Sequence, residues 1–238
     1  MSLISKIQSL ISSANAVTGE SRTDLTSAVQ DLKDGYGGST VEKGLVFSEY
    51  DSDGYPHKAE FVGSWTSIPE SFLAMISTND FKFMSNITHI DVPEGVTSIG
   101  NGAFRNYNSY GLTSISLPST LTSIGNTGVA MAYCTSLEVP SGVTQLVVDS
   151  IANLYRCEQL TFLGDITSVA RYAFERTGQN ASTLTIDFSH CTGVPTLENA
   201  NAFANTPAKI IKVPQSLLSA WQTETNWVGI TNVTWQGV

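Results

Sequence analysis

The chain has 238 residues, of which 41% are hydrophobic, and its 12 basic and 21 acidic residues give a net charge of −9. A negative balance of this size repels phosphate backbones and argues against a nucleic-acid partner. No stretch approaches the ~18 apolar residues of a membrane span. The N-terminus has no uninterrupted apolar segment of the secretory type, so we expect neither membrane insertion nor general secretory export.

Residues 1–40 are predicted to be an N-terminal helical segment and linker. Apolar residues recur at helical spacing in two short runs, and the second run can begin at Ser21 and stop at Gly35. Two such helices need a partner surface. They either pack against the rest of the chain or dock on another protein or on copies of themselves, and we favour the second interpretation. The attachment residues would be Ile4, Ile7, Ile11, Leu25, Val29 and Leu32.

A hairpin follows, with strands over 45–50 and 58–62 and a turn at Asp51-Ser52-Asp53-Gly54. The turn also offers a weak calcium candidate with Asp51, Asp53 and Glu60 at loop spacing. Pro56 and the flanking strands oppose it, so a metal site is not expected. Residues 41–86 are predicted to form an irregular first coil, in which the second strand fits the repeat pattern and Trp65 lies inside. Residues 73–84 are an insertion within it, and we expect their apolar side chains to form a local core.

A short apolar sequence motif then recurs about every two dozen residues. Two apolar residues flank one polar residue, a proline often follows, and two further apolar residues stand three apart. The copies are Ile90-x-Val92-Pro93-x-x-Val96-x-x-Ile99, Ile115-x-Leu117-Pro118-x-x-Leu121-x-x-Ile124, Leu137-x-Val139-Pro140-x-x-Val143-x-x-Leu146 and the proline-free Leu160-x-Phe162-Leu163-x-x-Ile166-x-x-Val169. A fixed period in this range is typical of stacked leucine-rich repeats.

Each copy predicts a strand of about three residues with one face inward, ended by the proline because proline lacks an amide donor. The later apolar pair would seal the turn of the coil. Ala103-Phe104, Ala173-Phe174 and Ala202-Phe203 would fill the far side. One coil buries too little apolar surface to offset its ordering entropy, so neighbouring coils must cover each other.

The array loosens towards its end and is expected to close with a cap over residues 215–238. Residues 216–221 predict a short helix, and Trp221 and Trp227 can cover the open end. The alternative is that Trp221, Trp227 and Trp235 form a platform for stacking sugar rings. The sequence thus predicts an α+β fold class: a leucine-rich-repeat solenoid over 41–214 with short parallel strands, an N-terminal helical segment and a C-terminal helical and aromatic cap.

Cys134 and Cys157 occupy the same slot in adjacent copies, and Cys191 stands at a similar distance before Val194. An odd count gives no complete disulfide framework. We expect three reduced, buried thiols.

Two resemblances follow from these residues. The phrases at 92–104, 117–125 and 134–137 resemble the BspA-like leucine-rich repeats of bacterial surface proteins, which implies a module that recognises proteins or glycans. The segments 7–11 and 17–29 are similar to helical modules at the front of tail and other virion proteins of phages that infect Gram-positive hosts. This second resemblance implies attachment to a phage particle.

The combined interpretation is a non-enzymatic virion protein, located in the virion, whose residues 1–36 contact other virion proteins and whose solenoid contacts a host surface protein or glycan. Homo-oligomerisation is left open. The alternatives are a bacterial surface or exported adhesin, located at the cell surface, and a purely structural decoration of the particle. No cofactor is expected, and His57, His89 and His190 stand in no catalytic motif.

The expected binding face consists of the polar residues between the apolar strand positions. These residues are His89, Asp91, Ser114, Ser116, Glu138, Gln159, Thr161, Asp187 and Lys212. The second choice is the loop side, which carries Tyr107, Tyr110, Tyr133 and Tyr155.

Overall fold

The described part of the chain winds into stacked coils, and most coils contribute one strand to each of two sides. The computed structural model describes residues 44–50, 52–53, 56–73, 87–105, 112–131 and 133–238. The helices predicted within 1–40 and most of the insertion predicted at 73–84 lie outside these residues. From Leu45 to Val238 the chain forms one compact unit.

Fifteen strands and one complete short α-helix are present in the described residues, and residues 72–73 are also helical. The strands are β1 (Gly44–Tyr50), β2 (Pro56–Val62), β3 (Ser67–Ile68), β4 (His89–Asp91), β5 (Ser98–Ile99), β6 (Ser114–Ser116), β7 (Ser123–Ile124), β8 (Ser136–Val139), β9 (Gln145–Leu146), β10 (Gln159–Phe162), β11 (Ser168–Val169), β12 (Thr183–Asp187), β13 (Thr196–Leu197), β14 (Ala208–Val213) and β15 (Val233–Gly237). The helix α1 spans Leu218–Thr223 and follows a 3-10 turn at Gln215–Leu217.

Parallel pairing between successive coils builds both sides of the solenoid. On the first side β4 pairs with β6, and β8, β10, β12, β14 and β15 form a five-stranded sheet. On the second side β3, β5 and β7 form one sheet and β9, β11 and β13 another. Among the described residues, both ladders are interrupted between the coil of β6 and β7 and the coil of β8 and β9.

The first apolar residues of successive repeat copies form a buried column, as expected from coils that cover each other. Ile90 is paired with Ile115, and Leu137 is aligned with Leu160 and then with Ile186 and Ile211. All of these side chains are buried, the most exposed being Ile115 at 8%. Their alignment follows from the two-residue period of a strand, because every second side chain points to the same face.

Proline removes one hydrogen bond after the first-side strands, although β8 with its proline and β10 without one both have four residues. Pro93 and Pro140 come directly or almost directly after β4 and β8, and each carbonyl accepts the amide of the residue three positions later to close a turn. In the proline-free copy, Leu163 has an amide, and it donates to Val139 O at 2.9 Å. The ladder therefore continues where the missing donor would otherwise end it.

The two apolar residues that stand three apart at the end of each repeat copy contribute to a second set of strands, which the sequence did not predict. The second member of each pair, for example Ile99 or Val169, belongs to a two-residue strand on the second side, where the sequence suggested only the sealing of a turn. Strands this short escape a search for alternation, because alternation needs at least about four residues to be visible.

Turns on a third side complete each coil and are themselves bonded from coil to coil. Phe104 N donates to Gly128 O, Ile151 N to Ala173 O, and Phe174 N to Ala202 O. The three predicted Ala-Phe pairs lie here and are buried, as expected. A left-handed residue, with φ of 49° to 60°, begins five of these turns, whereas the turn of Ala202-Phe203 is a 3-10 helix preceded by the extended Asn199. The five left-handed residues are Ser71, Gly102, Thr127, Asp149 and Tyr172.

Side chains add further bonds between coils. The hydroxyls of Thr97, Thr122 and Thr167 each donate to the carbonyl of a threonine one coil earlier, at 2.9 to 3.1 Å. Glu94 accepts from both the amide and the hydroxyl of Ser119 in the next coil. These hydrogen bonds, from the amide first, hold the pKa of Glu94 below its ordinary value.

An aromatic cluster fills the first coil. Trp65 is buried, as predicted, and its ring lies edge-on to Phe61 and Phe72, with centroids 5.3 and 5.5 Å apart. Its indole nitrogen donates to Val62 O at 2.8 Å. Phe72 also contacts Phe104, which links this cluster to the regular coils.

At the C-terminal end the chain forms one more coil. Trp221 of α1 and Trp227 are fully buried against Phe188, and Trp227 Nε1 donates to Pro195 O at 2.8 Å. Trp235 lies in β15, which extends the sheet. The predicted helical cap is therefore not supported, because residues 215–238 hold one six-residue α-helix followed by a strand that extends the sheet. The sugar platform is wrong for Trp221 and Trp227, because buried rings offer no face to a ligand.

All three cysteines are free and buried, as expected. The thiols of Cys134 and Cys157 donate to the carbonyls of Ser136 and Gln159 in equivalent positions. Burial raises the pKa of Cys134 to about 11 and that of Cys157 to about 12, so both thiols stay protonated at neutral pH.

The column makes a stability prediction. Leu160→Ala removes a fully buried side chain between two neighbouring coils, and we expect it to lower the free energy of unfolding by about 2–5 kcal/mol. Urea denaturation measures this value. Gln159→Ala changes the adjacent, exposed residue and should cost less than about 0.5 kcal/mol. Equal losses in the two variants would contradict the packing described above.

Candidate recognition face

The nine residues predicted to form a binding face do lie on one surface. We call this surface the strand face: the outward side of β4, β6, β8, β10, β12, β14 and β15. Each of the nine occupies a strand position whose side chain alternates with the buried column, and all are exposed or partly exposed. The structure thus brings them together in space, although the sequence spreads them over more than 120 positions.

Strand pairing arranges these residues in two rows. In one row Asp91 is aligned with Ser116, and after the interruption Glu138 is followed by Thr161, Asp187 and Lys212. In the other row His89 is aligned with Ser114, and Gln159 lies between residues that the sequence did not single out. These additional members are Ser136, Thr185, Ile210 and Thr234.

A hydrogen-bonded cluster occupies the β4 and β6 end of the strand face. His89 Nδ1 lies 2.6 Å from Ser114 Oγ, and His89 Nε2 lies 2.8 Å from Asp91 Oδ1 and 3.2 Å from Ser116 Oγ. Ser116 and, after it, His89 hold the pKa of Asp91 below its ordinary value. The imidazole is therefore fixed by partners on both strands.

This cluster contains serine, histidine and aspartate, but it differs from a hydrolytic triad. In such a triad the carboxylate is buried, and its hydrogen bond holds the histidine in one tautomer and one orientation. Here the Asp91 side chain is 77% exposed and that of His89 is 44% exposed. Ser116 also competes for the same imidazole nitrogen. The arrangement is suited to hydrogen bonding with a ligand.

The charged part of the strand face is of mixed sign. Lys212 Nζ lies 4.0 Å from Asp187 Oδ2, and Asp187 Oδ1 also accepts the amide of Ser189 at 2.9 Å. Glu138 is exposed two strands away from Asp187. A partner would therefore meet one carboxylate on β8, a second on β12 and one cation on β14.

A groove that the sequence did not predict adjoins the strand face. It has a volume of about 450 Å³ and lies where β1 and β2 approach β4. Lys58 Nζ forms an ion pair with Glu60 Oε1 at 2.9 Å on its wall. The lining residues are Glu49, His57, Lys58, Ala59, Glu60, Phe61, His89, Asp91 and Pro93. The groove could not be predicted, because the closeness of β2 and β4 depends on how the chain crosses the intervening insertion.

The calcium candidate gains no support. Asp51 lies outside the described residues, Asp53 is exposed, and Glu60 is paired with Lys58. Within the described ranges no group of three or more histidine, cysteine, aspartate or glutamate side chains could hold a metal ion.

The loop side, our second choice, carries a separate groove of about 420 Å³. Tyr155 lines it together with Asp149 and Glu175, and the Tyr155 hydroxyl donates to Asn153 Oδ1 at 3.3 Å. The remaining lining residues are Thr127, Asn153 and Arg176. Tyr133 instead lies under the guanidinium of Arg156, 4.7 Å from the ring centroid. Tyr107 and Tyr110 lie outside the described residues.

His190 and Cys191 are adjacent in sequence but not in environment. His190 is exposed, with Nδ1 3.1 Å from Phe162 O, whereas Cys191 is 4% exposed. Burial raises the pKa of the Cys191 thiol to about 11. This thiol is therefore protonated at neutral pH and unsuited to nucleophilic attack.

Coils of parallel strands, closed by short turns and presenting polar residues from the first-side strands, define a leucine-rich-repeat solenoid. Six copies of the BspA type leucine-rich repeat region match residues 74–207, and the chain belongs to this family. No curated protein matches the chain. Separately, the described residues include no helix that is long and apolar enough to cross a membrane.

The cluster at β4 and β6 leads to a prediction about pH. Because the folded-state pKa of Asp91 is lowered, its contribution to stability is present above the unfolded-state value and is lost as pH falls through the folded value. Ser116→Ala should raise the pKa of the Asp91 carboxyl towards its ordinary value of 3.8. Carbon-detected NMR titration of the carboxyl measures this change.

Ser114→Ala is the matched control, since Ser114 lies against the opposite nitrogen of His89. It should move the pKa of Asp91 less than Ser116→Ala does. A larger pKa shift in Ser114→Ala than in Ser116→Ala would show that Ser116 is not the principal partner of the Asp91 carboxylate.

Proposed function

We propose that the protein is a non-enzymatic structural component of a phage particle, a tail, fibre or decoration protein, whose strand face binds a protein or a glycan of the host surface. Membership of the repeat family supports recognition of proteins or surfaces in general. The phage assignment rests on the resemblance of residues 7–11 and 17–29 to virion modules.

One observation carries the recognition role: the strand face presents two rows of mainly polar side chains on two parallel sheets, β4 with β6 and the five strands from β8 to β15. Backbone pairing fixes the spacing of Glu138, Thr161 and Asp187, so little conformational entropy is lost when a partner binds them. The side chains offer donors, acceptors and both signs of charge. Such a surface suits an extended partner better than a small apolar ligand.

The absence of a catalytic role is also part of the proposal. The three thiols are buried, and the carboxylate beside His89 is largely exposed to water. Neither arrangement resembles an activated nucleophile with its base. The groove beside β4 therefore enters the proposal as an extension of the binding surface.

A bacterial surface adhesin is the second candidate. It is favoured by the phrases at 92–104 and 117–125, which resemble repeats of bacterial surface proteins. Neighbouring genes distinguish the two functions: genes for portal, tail or baseplate components support the particle, whereas a secretion cassette supports the adhesin.

Binding by the strand face is tested with a matched pair of glutamines. Gln159→Arg places a long cation in the middle of the strand face, and we expect it to weaken binding of the labelled full chain to host cells by at least about ten-fold. Gln145→Arg introduces the same change on the second side of the solenoid, and Gln145 is likewise exposed. Flow cytometry over a range of protein concentrations measures both affinities.

Gln145→Arg should bind as the unmodified chain does. If it weakens binding as much as Gln159→Arg does, the strand face is not the binding surface. If the unmodified chain fails to bind host cells at all, the protein is a decoration with no host ligand.

Attachment is tested by removal of residues 1–36. We expect the shortened chain to be missing from purified particles, because the apolar residues proposed to contact other virion proteins are lost. Quantitative immunoblotting of particles measures incorporation, and circular dichroism checks that the repeats remain folded. Full incorporation of a folded, shortened chain would refute attachment through this segment.

A further inference from the structure

Lys209 is a buried cation that lies between apolar residues of the two neighbouring strands. It lies on β14, where strand pairing aligns it with the buried Leu184 on one side and with Val233 on the other. Lys209 is only 4% exposed. Burying an ammonium costs desolvation free energy unless the charge is paired, so we looked for the groups that surround this one.

The contacts of Lys209 leave its ammonium incompletely satisfied. Its Nζ donates to Pro207 O at 2.9 Å, and in the described part of the chain it has no ion pair. An ammonium has three donors, so one carbonyl supplies a minority of the acceptors that it can use. Burial accordingly lowers the pKa of the Lys209 ammonium.

Lys209 lines a cavity of about 280 Å³ at the C-terminal end of the described solenoid. The other polar side chains around this cavity are amides and hydroxyls: Asn201, Asn205, Thr206 and Thr231. Among the residues that line it there is no carboxylate. Glu175 lies outside the lining, and its Oε1 accepts from Asn205 Nδ2 at 3.5 Å.

This composition contrasts with the other grooves of a chain whose net charge is −9. The groove beside β4 contains Glu49, Glu60 and Asp91, and the groove on the loop side contains Asp149 and Glu175. Both repel anions. The Lys209 cavity combines one buried cation with neutral polar side chains. The cation matches a single negative charge on a ligand, and the neutral polar side chains match hydroxyl groups around that charge.

We propose that the Lys209 cavity binds the carboxylate of an acidic monosaccharide unit, a uronic acid, with the ammonium as counter-ion. The volume lies just below the range of about 300–1,000 Å³ found for drug-sized ligands, so it suits a single ring. The amides and hydroxyls match ring hydroxyls. The ligand carboxylate would accept hydrogen bonds from the Lys209 ammonium, for which the protein itself provides one acceptor. This site is separate from the strand face.

The experiment is thermal denaturation of the full chain in sodium glucuronate, glucose, sodium acetate, sodium phosphate or sodium chloride at matched ionic strength. Glucuronate should raise the Tm above the chloride value by on the order of 3–6 °C at ten times its Kd. Glucose should give no rise, and acetate a smaller one. A rise in phosphate alone, or an equal rise in glucose and glucuronate, would overturn the proposal.

Two variants make the result specific. Lys209→Met keeps the apolar stem and removes the charge, and it should abolish the rise in glucuronate measured from its own chloride baseline. Arg171→Gln removes one positive charge from an exposed ion pair with Glu198 and should keep the full rise. A response that survives Lys209→Met, or disappears in Arg171→Gln, would show that the cavity is not the site.

A direct readout covers the case in which Lys209→Met fails to fold. In protein with nitrogen-labelled lysines, glucuronate should shift the side-chain resonance of Lys209 and saturate. Lys58 serves as the internal reference, because its ammonium is already paired with Glu60. Equal shifts of both resonances would indicate a general salt effect and would refute the site.

Discussion

The structure depends on the hydrogen bonds and apolar contacts between one coil and the next. A single coil buries a few side chains, which cannot offset the conformational entropy of about two dozen ordered residues. Stacking resolves this, because Leu160 is covered by Leu137 on one side and by Ile186 on the other. Backbone bonds on three sides hold the coils in register, and the polar rows of the strand face are a by-product of that register.

The periodic features of the fold could be predicted from the sequence. Alternation around Leu137 and Leu160 fixes which side chains are inside, and it therefore also identifies the outward residues of the strand face. Pro93 and Pro140 mark strand ends, since proline has no amide to donate. In each case one physical rule acts within a single repeat and applies again in the next.

Features that depend on contacts between distant segments could not be predicted. The second-side strands have only two residues, the groove beside β4 forms where β2 approaches across an insertion, and β15 adds a strand after the apparent end of the array. The sequence places Lys209 between apolar neighbours, but only the cavity shows that the ammonium lacks a counter-ion. The attachment segment lies outside the described residues and remains a prediction.

The interruption of both ladders after β6 and β7 divides the described array into two blocks. Hydrogen-bonded sheets continue within each block, but across the junction the strands on neither side are joined in a ladder. In a linear array, each unit is stabilised mainly by its immediate neighbours. On the third side the bond from Thr127 N to Asp149 O still crosses the junction, and the apolar core is continuous through it. With no strand ladder beside these contacts, we expect the coupling between coils to be weakest here.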